Sequence, residues 1–112
     1  MSTPRLKTWI WVQAQVAICN QLAIPIAIAR KGNREAGAIL LKLNRLDDGC
    51  EVLSQVRTAE GALVWFRASG EAPVTEAAAD GLIHREMSFD PDLWVIEIED
   101  PKRQYPMDAD TL

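Results

Sequence analysis

Four runs suited to extended structure follow one another between residues 24 and 69, with only short turns between them. "IPIAIARK" (24–31) alternates Ile24, Ile26 and Ile28 with small or polar residues, and "GAILLKLNRL" (37–46) alternates Ile39, Leu41 and Leu43 with Lys42 and Asn44. "CEVLSQVRT" (50–58) offers Val52 and Val56, and "ALVWFRAS" (62–69) is rich in β-formers. Pro25 has no N–H to give a ladder, so the first run starts there or lies along a sheet edge. "KGNREAG" joins the first pair with two glycines. Asp48-Gly49 is a two-residue hairpin signal, because both central positions of that turn need φ > 0. Ala59-Glu60-Gly61 fits a three-residue loop with Gly61 at the left-handed position. Strands joined in this way make an antiparallel meander.

Helical spacing flanks these runs. Leu6, Trp9, Ile10, Ala14, Ala17, Ile18 and Leu22 share one stripe over residues 6–22, with Thr3-Pro4 as N-cap and first-turn proline. Trp11 and Val12 lie off that stripe, and a strand at 8–13 is the competing reading. Thr75 caps a second helix over 76–88, with Glu76 in the first turn and Ala79, Leu82, Ile83 and Met87 as its apolar stripe. Asp90-Pro91 ends it, and "LWVIEIE" (93–99) follows as a fifth strand. The predicted order is α-β-β-β-β-α-β. It gives an α+β domain over 1–100, an antiparallel meander plus a fifth strand, with helices mainly on one face. Residues 101–112, with two prolines and no period, form an irregular tail.

Composition narrows the functions. A chain of 112 residues supports one core without disulfides or metals. Its net charge of −4 argues against a general nucleic-acid binder, which carries a basic domain. Cys19 and Cys50 are far apart and the chain has one histidine, so zinc and redox sites lack their ligands, and both thiols are expected reduced and buried or half-buried. No cofactor motif is present, so no cofactor is expected. "MSTPRLKTWIWVQAQVAIC" has the order of a secretion signal, but Gln13 and Gln15 interrupt its apolar stretch and Ile18 precedes Cys19. The expectation is a cytoplasmic protein without a targeting or membrane segment.

Three surfaces could carry function. The Asp48-Gly49 turn would set Arg45 opposite Val52, Leu43 opposite Ser54 and Leu41 opposite Val56 on a core face. Lys42, Gln55, Arg57, Asn44, Trp65 and Arg67 then share the outer face, a cationic surface with an aromatic platform. Such a face suits a protein partner's acidic segment, an anion or a base, though a solvated polar face looks the same. Arg30, Lys31 and Arg34 surround Gly32 in a loop with the composition for phosphate contacts but without the pattern of a phosphate-binding loop. Glu97 and Glu99 share one face of the fifth strand, opposite Trp94, Ile96 and Ile98. With Asp108 or Asp110 they could hold a divalent metal; beside a strand carrying Lys42 they would make a cross-strand ion pair. His84 stands four residues after Asp80, as an exposed helix pair would. No GxSxG elbow accompanies it.

"PRLKTWIWVQA", "EAGAILLKLNRL", "VLSQVRTAEG" and "FDPDLWVIEIED" together resemble a small, mainly alphaproteobacterial family, the domain of unknown function numbered fourteen ninety-one. The resemblance runs through nearly the whole chain and implies a stand-alone cytoplasmic protein, with no catalytic motif to transfer. The functional expectation is a non-enzymatic binding module with a protein partner or self-association as a homodimer. The alternatives are a metal-assisted enzyme using Glu97 and Glu99, and a nucleotide or RNA binder using the basic outer face.

Overall fold

The computed structural model describes residues 6–57, 59–60 and 63–107. Within them the order is α1 (Thr8–Gln21), β1 (Ile26–Arg30), β2 (Ile39–Asn44), a 3-10 turn (Leu46–Asp48), β3 (Cys50–Arg57), β4 (Leu63–Arg67), α2 (Glu76–Phe89) and β5 (Trp94–Glu99). The α+β class and the predicted element order hold. The strands form one sheet in the order β1-β5-β2-β3-β4.

The last strand sits inside the sheet. β5 runs antiparallel to β1 and parallel to β2, so only β2, β3 and β4 form the meander, and β1 does not pair with β2. The reason lies in β2. Ile39, Leu40, Leu41, Lys42 and Leu43 are all buried, so this strand needs a neighbour at each edge and cover on both faces. β5 supplies the second neighbour, with Trp94, Val95, Ile96 and Ile98 buried in turn.

Both faces are therefore covered, and the helices divide between them rather than sharing one. On one face, Val12 and Cys19 of α1 meet Ile39, Leu41, Leu43, Leu53, Trp65, Trp94, Ile96 and Ile98. On the other, Ala79 and Ile83 of α2 meet Leu40, Val52 and Val95. The α2 stripe is the predicted one, and Thr75 Oγ1 accepts from the Ala78 N–H as its N-cap. In α1 the buried stripe is different. Thr8, Val12 and Cys19 face inward, while Leu6, Ile10 and Leu22 are exposed. Thr8 can be buried because its hydroxyl donates to the Gly37 carbonyl at 2.8 Å. The first turn of α1 is closed by neighbouring backbone: Thr8 and Trp9 donate their N–H groups to the carbonyls of Glu35 and Arg34. The expected Thr3-Pro4 cap lies outside the described residues.

The β2–β3 register corrects the expected one. Asn44 pairs with Cys50, Leu43 with Glu51, Lys42 with Val52 and Leu41 with Leu53. Asp48-Gly49 does not form a two-residue hairpin. Residues 45–49 make a longer connection containing the 3-10 turn, with Leu46 at φ 58° and Gly49 at φ 89°. The Asn44 side chain accepts the Leu46 N–H at 2.8 Å and supports the left-handed residue. Moving the register by an odd number of residues exchanges the faces of β3 against β2. The β3–β4 register is the predicted one, Gln55 opposite Trp65 and Leu53 opposite Arg67. Gly61 itself lies outside the described residues, as does the side chain of Val56.

Candidate functional site

The expected outer face is not a free surface. Gln55, Trp65 and Arg67 do share a face, but it is the α1 face, and Trp65 is only 4% exposed. Arg57 belongs to the same ladder, opposite Leu63, and its side chain lies outside the described residues. Lys42 points to the opposite face. The shifted β2–β3 register and the covering helix account for both outcomes.

Lys42 organises one cleft of about 190 Å³, between α2 and strands β1, β2 and β5. The parallel register sets Glu97 of β5 beside it, and Glu76 and Asp80, one turn apart at the start of α2, reach down to it. Its ammonium is 2.8 Å from Asp80, 2.9 Å from Glu76 and 3.4 Å from Glu97. The ammonium thus donates to Asp80 and Glu76 and stands within ion-pair range of Glu97. Burial alone would lower the Lys42 pKa, but the hydrogen bonds to Asp80 and Glu76 and the charges of Glu97 and Asp80 outweigh it and hold it above the ordinary range. A lysine so held is neither a base nor an amine nucleophile at neutral pH. Asp80 is therefore Lys42's partner, while His84 lines the cleft from an exposed position on α2. Among the described residues lining this cleft there is no Ser, Thr or Cys to act as a nucleophile.

A second charged group was not foreseen. Arg45 reaches Glu51 at 3.0 Å and Asp100 at 2.7 Å, and Arg67 and Arg103 also approach Glu51, at 3.0 and 3.5 Å. Arg45, Glu51 and Asp100 are all buried. Asp100 further accepts the N–H groups of Gln104 and Tyr105, at 2.8 and 2.9 Å, which turns the chain back after β5. Residues 101–107 form no helix or strand, yet they are anchored: Tyr105 is buried in the α1-side core.

Tyr105 completes a second cleft, of about 170 Å³, lined by Trp11, Gln15, Ile18, Trp65, Tyr105, Pro106 and Met107. The Trp11 and Trp65 rings stand 5.7 Å apart and tilted by 47°. The Tyr105 hydroxyl donates to the Gln15 side-chain carbonyl. Trp65 thus borders a cavity after all, from beneath α1 rather than from an open sheet face. Trp11 is one of the two residues that lie off the predicted stripe; nothing local in the tail marks Tyr105.

The remaining expected residues are dispersed. Arg30 donates to the carbonyls of Met87, Asp90 and Pro91 and so caps the end of α2. Arg34 lies over the Trp9 ring, 4.9 Å from its centroid, and Lys31 is exposed. Their loop packs onto the segment before β5: Trp94 Nε1 donates to the Asn33 carbonyl, and a Cβ at Gly32 would sit 2.1 Å from the Asp92 carbonyl oxygen. Glu97 and Glu99 share the α2 face as expected, and Glu97 makes the cross-strand pair with Lys42. Asp108 and Asp110 lie outside the described residues. Among the described residues, no three His, Cys, Asp or Glu side chains are grouped to hold a metal ion. Cys19 and Cys50 are free and buried; burial raises both thiol pKa values, aided at Cys19 by the charge of Asp100, while at Cys50 the Lys42 charge opposes the rise and those of Glu76, Asp80 and Glu97 add to it. No helix of the described residues is long and apolar enough to cross a membrane.

Comparison with known proteins places this geometry. The profile of a protein family of unknown function, DUF1491, matches residues 6–108. Among solved structures, the chain is similar to the crystal structure of a DUF1491 family protein from Caulobacter crescentus CB15, with 28% identity, a TM-score of 0.84, and 96% of this chain and 100% of that one covered. It is equally similar to an NMR structure of a DUF1491 family protein from the same organism, covering 98% and 99% of the two chains. Protein Atu0922 from A. tumefaciens matches at 26% identity and a TM-score of 0.72 over 86% of each chain. No curated protein matches. With its helices on opposite faces, its inserted last strand and a match over nearly its whole length, this chain belongs to the DUF1491 family.

Proposed function

We propose that this chain is a non-enzymatic interaction module that takes one apolar side chain of a protein partner into the cleft between α1, β4 and Tyr105. The observation behind the reading is that cleft's lining: two tryptophans, a tyrosine, a methionine and an isoleucine around about 170 Å³. The volume sets the size of the guest. Pockets for drug-sized ligands and cofactors run from about 300 Å³ upward. A cavity of about 150 Å³ holds a benzene-sized group. One buried aromatic or branched anchor is also how many protein interfaces concentrate their binding energy. The charged cleft around Lys42 supports the non-enzymatic part, because its lysine is fully engaged and held protonated.

The test is a titration of the ¹⁵N-labelled chain with indole, N-acetyl-tryptophanamide and N-acetyl-leucinamide. Saturable shifts confined to Trp11, Gln15, Trp65 and Met107, abolished by Ile18→Trp filling the cleft, are the expected result. Shifts that stay linear, or that spread evenly over the surface, overturn the reading.

A further inference from the structure

We propose that two copies of this chain pair through β1, edge to edge and antiparallel, about a two-fold axis at Ala27, joining their sheets into one. This goes beyond the cleft reading and rests on other residues.

β1 is paired on one side only, with β5, and among the described residues no strand lies beyond it. Its backbone groups can be sorted by direction. Glu99 donates its N–H to the Pro25 carbonyl, so Pro25 and, two residues on, Ala27 turn toward β5. Ile26 and Ile28 then turn their N–H and C=O groups outward. An antiparallel partner would meet that pattern by setting Ile26 against Ile28 of the other copy and Ile28 against Ile26, four backbone hydrogen bonds about an axis at Ala27. "Ile26-Ala27-Ile28" reads the same in both directions, as an isologous contact requires.

Side chains favour the same arrangement. Ile26 and Ile28 stand on the α1 face, opposite Ile98 and Ile96, and Ile28 is 39% exposed. In the pair, each Ile28 would be covered by the partner's Ile26. Ala27 and Ala29 are exposed and too small to obstruct approach.

Charge selects a second copy as the occupant. One residue in four of this chain is charged, yet no Asp, Glu, Lys, Arg or His occurs from Thr8 to Ala29. Edge strands are ordinarily guarded by charges; Ile26–Ala29 has none. Two copies with a net charge of −4 repel over most of their surface, and this seam meets without a like-charge contact. Arg30 would lie opposite Ile24 of the other copy, and its guanidinium is already bound to the end of α2. Pro25 at one end and the irregular register between Ile28 and Arg30 at the other keep the seam short. The pair therefore belongs with small, reversible interfaces, below about 1,200 Å².

The test is sedimentation equilibrium of the whole chain from micromolar to millimolar concentration, with amide exchange read at Ile26 and Ile28. A dimer should grow with concentration, and the two amides should gain protection with it. Ala27→Lys and Ala27→Glu place like charges on Cα atoms about 4.5 Å apart across the axis and should each weaken the dimer about tenfold or more. An equimolar mixture of the two should recover it. Ile28→Lys, on the other face, should weaken it too and stands in if either Ala27 variant misfolds. A chain monomeric throughout with both amides unprotected, a dimer indifferent to these variants, or a mixture that fails to recover association each overturns the proposal. The cleft titration with indole is unaffected by any of these results.

Discussion

Lys42 and Arg45 stand three residues apart at the same end of the sheet, and each is a cation withdrawn from water. Their partners differ. The carboxylates around Lys42 keep much of their contact with solvent, with Glu76 57% and Asp80 48% exposed at the side chain. Around Arg45 the partners are withdrawn too, Glu51 to 9% and Asp100 to 2%. One group fastens a helix to the sheet from a wet rim. The other is sealed, and what it fastens is the chain after β5, through the Tyr105 N–H and the ring that lines the aromatic cleft. A buried ion whose partner is removed has no water to turn to, whereas a rim carboxylate does.

Removing each cation measures that difference. Arg45→Met leaves the buried Asp100 carboxylate without its cation and Glu51 with only the more exposed Arg67 and Arg103, and should cost about 3–5 kcal/mol in urea unfolding. Lys42→Met strands only hydrated carboxylates and should cost about 1–3 kcal/mol. Equal losses would break the comparison. Glu76→Gln, at the most exposed partner, should change stability by about 1 kcal/mol or less, again read by urea unfolding.

Titration separates the two groups at opposite ends of the pH scale. Burial alone would raise the Glu51 pKa, but the hydrogen bond and charge of Arg45, with Arg103 and Arg67, hold it below the ordinary value. The folded pKa is thus under the unfolded one. This contribution is complete above about pH 4.3 and is lost as pH falls through the folded value. Glu51→Gln should flatten the acid limb of thermal stability. For Lys42 the folded pKa is the higher, so its contribution is complete below about pH 10.4 and is lost as pH rises beyond it. Lys42→Met should flatten the alkaline limb and leave the acid limb intact.

The parts of this fold legible in the sequence are those decided by neighbouring residues. The Thr75 cap, the Ala79 and Ile83 stripe, the Gln55–Trp65 register and the two-sidedness of β5 all depend on short spacings. Even the Lys42–Glu97 pair followed once β5 was set beside the strand carrying Lys42. What the sequence did not disclose depends on partners far along the chain. Thr8 and Gln15 face inward because Gly37 and Tyr105 satisfy them, so counting apolar residues selects the wrong side of α1. Asp48-Gly49 carries a strong local turn signal, but the turn that forms lets Arg45 reach Asp100, fifty-five residues away. That one turn moved the faces of β3 and carried Trp65 from the expected open surface to the base of a cleft.

The strand order also has a consequence in time. A chain made from its N-terminus completes β1, the meander and α2 before residues 94–99 exist. Until then β1 has no strand to pair with, and the β2 edge of the meander stands open to solvent. The sheet cannot close until residues 94–99 have been made, because they supply the strand between β1 and β2. A product cut short before Trp94 would keep those edges exposed, a ready target for proteolysis, so the step that protects the sheet from pairing with other chains is the insertion of one six-residue strand.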